Sequence, residues 1–190
     1  MTSRRLAPTI RQWRRWFAIG ALAVLCGCAS LPEDQPVMEQ LDSETGVTIT
    51  RLGKPIEIFR ETFLKQAPGR FGFIAPFETN LMGTRELYLW IAVPVEPAPN
   101  AEPTVSIDGN PVSLGKAGRD ASFAGLRKSP YRIATPWSEM FYFKIDQAIV
   151  EQLGKSSQLL VEIFETTKDG AAKIEFLANP DERLREFARR

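Results

Sequence analysis

The sequence predicts a mainly β domain, a β-sandwich of immunoglobulin-like or transthyretin-like shape, over residues 42–190. Two observations carry this. About nine short runs alternate apolar and polar residues with the two-residue period of strands. Turn-forming clusters of Gly, Pro, Asp and Asn separate those runs, and only two short helical segments interrupt them.

The elements follow in order. Val47 and Ile49 alternate with Thr48 and Thr50, and Gly53-Lys54-Pro55 turns the chain into a run with Ile56 and Ile58. Phe71 and Phe73 open a third run that is expected to close at Pro76. In Glu86–Val95, Leu87, Leu89, Ile91 and Val93 share one face while Tyr88, Trp90 and Ala92 occupy the other. A strand apolar on both faces must be central or covered. Val105 and Ile107 lead through Asp108-Gly109-Asn110, a hairpin signal, to Val112 and Leu114. Residues 115–136 read as a long loop. Phe141, Phe143 and Ile145 face inward, and Asp146 caps a short helix near 146–153 that Gly154 is expected to stop. Leu159, Val161 and Ile163 turn back through Lys168-Asp169-Gly170 to Ile174 and Phe176. The C-terminal helix, 180–190, takes Asn179 as N-cap, Pro180 as first residue and Glu182 as the capping-box acid. It is too short to persist without packing, so its Leu184 and Phe187 are expected to cover the Tyr88 and Trp90 side of the long strand.

Charge is unevenly placed. The chain holds 24 Lys and Arg against 23 Asp and Glu, with Arg4, Arg5, Arg11, Arg14 and Arg15 all ahead of Cys28. Without those five, 19 bases face 23 acids, a net charge of −4. Such a domain lacks the basic footprint of a nucleic-acid binder.

Residues 1–27 read as an export signal. The five arginines precede an apolar run, Trp16–Leu25, of about 10 residues, which matches a signal-peptide core and is half of what a spanning helix needs. Arg14-Arg15 serves as part of the positive n-region. Leu25-Cys26-Gly27-Cys28 then resembles the lipobox of bacterial lipoproteins. The resemblance implies diacylglyceryl attachment to Cys28, cleavage before it, and acylation of the new amino group. Cys28 is the acceptor because Gly27 precedes it, whereas bulky Leu25 precedes Cys26. Ala29 in place of Asp implies the periplasmic face of the outer membrane. Residues 28–41, acidic and with Pro32 and Pro36, read as a tether from the lipid to the domain.

Chemistry is sparsely provided. Histidine is absent from the sequence, and both cysteines lie in or next to the leader, so the usual nucleophile–base pairs are missing. Glu57 and Glu61 sit in an alternating run and read as a solvated face rather than a glycosidase pair. Lys168-Asp169-Gly170 offers one carboxylate and reads as a turn, not a Ca²⁺ loop. No cofactor is expected. The aromatics Tyr88, Trp90, Trp137 and Tyr142, with Tyr131, read first as core, and as an alternative they make a platform for a partner or a glycan.

The opening Asp42-Ser43-Glu44-Thr45-Gly46-Val47-Thr48, with Asn80-Leu81-Met82-Gly83 and Tyr88-Leu89-Trp90, is similar to uncharacterised proteobacterial lipoproteins. The similarity covers the first half of the domain and implies compartment and class. The functional expectation is a lipid-anchored, non-enzymatic structural or assembly component acting through protein contacts. Its alternative is a module that binds peptidoglycan or another envelope glycan through exposed aromatics.

Overall fold

The computed structural model describes residues 35–60, 71–94, 97, 100–133 and 138–190. The leader, Cys28, Glu61 and Trp137 lie outside the described residues. The strands are β1 (Val37–Asp42), β2 (Val47–Leu52), β3 (Ile56–Arg60), β4 (Phe71–Leu81), β5 (Thr84–Val93), β6 (Thr104–Ile107), β7 (Asn110–Val112), β8 (Glu139–Ile145), β9 (Leu159–Thr167) and β10 (Gly170–Ala178). Among the described residues, two α-helices accompany them: α1 (Gln147–Lys155), between β8 and β9, and α2 (Glu182–Ala188), after β10. The protein is mainly β, antiparallel throughout and sandwich-like, as the alternating runs predict.

Everything is organised around β4. One edge of it pairs along its length with β5, which pairs in turn with β8. Its other edge is shared. Residues 77–80 pair with β2, and residues 71–74 pair with β3. One branch therefore runs β1-β2-β4-β5-β8, and the other leaves through β3 to β10, β9, β6 and β7. The two-sided apolar pattern of β5 is explained by this position, since Tyr88 through Val93 are all buried.

The expected end of β4 at Pro76 is corrected: the strand continues to Leu81. Proline is tolerated there because it sits where one partner strand leaves and the other begins, so no ladder donor is required of it. Tyr131 completes the junction. Its hydroxyl accepts from Leu52 N at 3.1 Å and donates to Pro76 O at 3.0 Å, standing between two groups that an unbroken ladder would join directly. The Leu52 carbonyl, which would meet the N–H that Pro76 lacks, accepts from Arg51 Nη1 at 3.1 Å. Buried backbone groups are thus satisfied by two side chains where the sheet divides.

Three boundaries also differ from expectation. Residues 37–41 belong to β1 rather than to the tether. Only Val37 of that strand is buried, so backbone pairing with β2 forms it without any apolar periodicity to read. Gly154 does not stop α1; it lies inside the helix, where a Cβ would fall 2.5 Å from Ala188 Cβ, and so permits the close approach of α2. The N-cap of α2 is Asp181, whose carboxylate accepts from Arg183 N at 2.9 Å, and Asn179 and Pro180 precede the cap. The Asp146 cap, the turn at Asp108-Gly109 and the β9–β10 hairpin are as predicted.

Replacing Tyr131 by Phe should leave Leu52 N–H and Pro76 C=O without their bridge, at a cost of about 1–3 kcal/mol per orphaned group. Urea denaturation measures it, and an unchanged midpoint would show that water substitutes for the hydroxyl. Burial raises the Tyr131 phenol from 10.0. The folded chain holds it neutral where the unfolded chain ionises it, so that stabilisation is complete below pH 10 and is lost as pH rises through the raised value. Tyr131→Phe should therefore flatten the alkaline fall in stability. Gly154→Ala should destabilise by about 1–3 kcal/mol through overpacking between the helices, read as a lower melting temperature.

Candidate functional site

Of the aromatic residues singled out from the sequence, Tyr88, Trp90, Tyr131 and Tyr142 are brought together, but inside the protein. Tyr88, Trp90 and Tyr142 are 3%, 0% and 1% exposed, so no open platform is formed by them. The sequence predicts that the C-terminal helix covers their side of the sheet, but the long segment after β7 covers it instead. Tyr131 lies over Trp90 with ring centroids 4.9 Å apart, and Phe123 meets Tyr88 edge-on at 6.2 Å. Phe77 stacks on Tyr88 at 5.2 Å from within the sheet. The helix α2 instead packs on α1 and against β1 and β2. Expectation erred because the 113–133 segment has no periodicity to mark it as a layer, although Leu126 and Tyr131 are fully inserted. Glu57 is exposed on β3, as the solvated-face reading requires.

A cavity lies on the other face of the same sheet. It is an open groove of about 980 Å³. Register builds its floor. Glu39 on β1 opposes Thr50 on β2, Thr50 opposes Glu78 on β4, Glu78 opposes Leu87 on β5, and Leu87 opposes Ile145 on β8. A second row, two residues along each strand, sets Leu41, Thr48, Asn80 and Arg85 side by side on that face. Val150 of α1 with Phe187 and Arg190 at the end of the chain forms the wall.

The groove's charges neutralise one another. Arg85 clamps Glu78 with two parallel bonds, Nε to Oε1 at 2.9 Å and Nη2 to Oε2 at 2.7 Å, which pushes the guanidinium pKa up. At the rim Glu86 accepts from Lys144 Nζ at 2.5 Å and from the Tyr88 hydroxyl at 2.6 Å. Lys144 first, and Tyr88 next, hold the Glu86 carboxyl below its usual range. Arg190 stands 3.6 Å from Glu39. Three acids therefore face three bases, and hydroxyls of Thr48 and Thr50 with the amide of Asn80 lie among them. Such a surface suits a neutral polar ligand.

Sequence reasoning missed this site. Its residues are ordinary polar positions of five strands and two helices, and only register joins them. The recurrence of Thr48, Thr50, Glu78 and Asn80 at inward-facing strand positions was the one available signal.

Comparison of the chain with protein-family models, curated proteins and solved structures gave no match. Among the described residues, no helix is long and apolar enough to cross a membrane.

Lys144→Met should raise the Glu86 pKa towards its ordinary value, followed by carboxyl NMR across an acid titration. A carboxylate held low stabilises above its ordinary pKa and loses that effect as pH falls through the folded value. The variant should accordingly lose less stability on acidification than the parent, and an unmoved Glu86 titration would exclude Lys144 as the cause.

Proposed function

We propose that this protein is an exported lipoprotein of the bacterial cell envelope, tethered through Cys28 and working by contact with another envelope protein rather than by catalysis. The observation that carries the reading is Leu25-Cys26-Gly27-Cys28, placed directly after a basic segment and a short apolar run. Two chains already give stable anchoring at about 0.8 kcal/mol per buried methylene, so a triply acylated cysteine holds the domain at the membrane for its lifetime. Ala29 after the acceptor supports the outer membrane.

The non-catalytic part of the reading is supported by chemistry at the groove. A general acid needs a carboxyl raised towards neutrality, and Glu86 is shifted the other way by Lys144 and Tyr88. The glycan alternative, as built on exposed aromatics, loses support because Tyr88, Trp90 and Tyr142 are all buried. The open groove, with matched charge and hydrogen-bonding side chains, is the surface we assign to the partner.

Mass spectrometry of the protein from membranes should find an N-terminus at Cys28 carrying acyl chains. Cys28→Ser should release the chain from the membrane pellet, while Cys26→Ser should remain in it. If Cys28→Ser still floats with membranes in a sucrose gradient, an uncleaved N-terminal helix is the anchor and the lipoprotein reading fails.

A further inference from the structure

An antiparallel sheet that does not close has edges, and exposed edges recruit other strands unless they are blunted. Among the described residues, three strands have one partner only: β1, β7 and β8. The β7 edge is three residues long and contains Pro111. The β8 edge is met by Gly118, which exchanges two backbone hydrogen bonds with Tyr142 at 2.8 and 2.9 Å. The β1 edge has neither device. It is six residues long, holds no Pro and no Lys, and from Glu39 to Leu41 is exposed.

The hydrogen-bond parity of β1 says which of its groups point away from β2. Gly53 N donates to Pro36 O at 3.1 Å, so 36 and 53 form a hydrogen-bonded pair. Alternation then turns residues 38, 40 and 42 towards β2, and aims N–H and C=O of Val37, Glu39 and Leu41 outward. Leu52, opposite Val37, obeys the same parity by pointing its N–H away from β1 to Tyr131.

Those outward residues sit at the margin of the groove. Glu39 lines it, and Leu41 lies in the row of Thr48, Asn80 and Arg85. An edge offering backbone pairing beside a depression for alternate side chains is the arrangement by which sheets bind extended peptides. We infer that β1 is a strand-addition site, and that its occupant is an extended segment of another polypeptide with uncharged polar side chains, Thr or Asn, at the positions facing the groove. Charge selects that occupant. Glu39, the groove residue beside the added strand, is already matched by Arg190 at 3.6 Å, so an uncharged Thr or Asn next to it leaves that pair undisturbed whereas an added charge would compete with it. A second copy fits poorly. Its own β1, centred on the same residue, sets Glu39 against Glu39, and like charges directly opposite are destabilising. The inference names the partner chemistry of the groove assigned above and rests on that assignment.

The test uses purified full-length protein in detergent and the synthetic peptide Lys-Thr-Val-Thr-Val-Thr-Lys, with a control whose central Thr is Pro. Hydrogen exchange resolved to single residues should slow at least tenfold at the Val37, Glu39 and Leu41 amides with the first peptide, and not with the control. Leu41→Pro removes an outward N–H but no bond to β2, and should weaken binding at least tenfold with an unchanged circular dichroism spectrum. If Leu41→Pro does not fold, methylating the three threonine amides of the peptide, whose N–H groups would meet β1, should abolish protection in the parent protein. Absence of protection up to millimolar peptide, binding that leaves the three amides unprotected, or a doubled mass with protected β1 and no peptide would each overturn it. Membrane release by Cys28→Ser is read separately, so failure here leaves the lipoprotein reading standing.

Discussion

A single strand serving two branches of a sheet needs a place where its ladder can be interrupted without stranding backbone groups, and Pro76 with Tyr131 supplies it. Proline removes the donor that would otherwise point at a departing strand. The phenol then spans Leu52 N and Pro76 O, and Arg51 serves the carbonyl left over. The same ring lies 4.9 Å from Trp90 and 5.3 Å beneath the Arg51 guanidinium. The phenol thus bridges the divided ladder and fills the layer above it. The junction also decides where the groove can be. Beyond it the β2 half of β4 lies free of β3, and its inner face carries polar residues to the margin.

The helices are placed by the same economy. Gly154 lets α2 approach α1, which brings Phe187 and Arg190 to the end of the groove. A bulkier residue at that crossing would push apart the wall formed by two elements remote from each other in sequence. The groove's integrity therefore depends on a position that touches none of its floor.

Much of the architecture was legible because burial has a period. Leu87 to Val93, with apolar residues on both sides, required a central strand, and Asp108-Gly109 required a tight turn. What escaped is what periodicity does not encode. The β1 strand is held by backbone bonds with one buried side chain, so it resembles a linker. The continuation of β4 through Pro76 depends on a tyrosine 55 residues away. Asp181 displaced Asn179 as cap because its carboxylate reaches Arg183 N and pairs with the Arg183 side chain. The groove was hidden most completely, since Thr50, Glu78 and Leu87 become neighbours only through register.

The Tyr131 bridge also orders events in time. Its two partners are separated from it by 79 and 55 residues, while β2, β3, β4 and β5 all precede it in the chain. As the polypeptide emerges from its amino end, those four strands can associate before the phenol that fixes their division exists. Until residue 131 arrives, Leu52 and Pro76 have only water between them, and the choice of partner along β4 is held by side chains alone. Long-range pairing of this kind is slow to form and leaves strand edges open meanwhile. The hydroxyl that marks the division of β4 thus reaches the sheet only after the strands it separates.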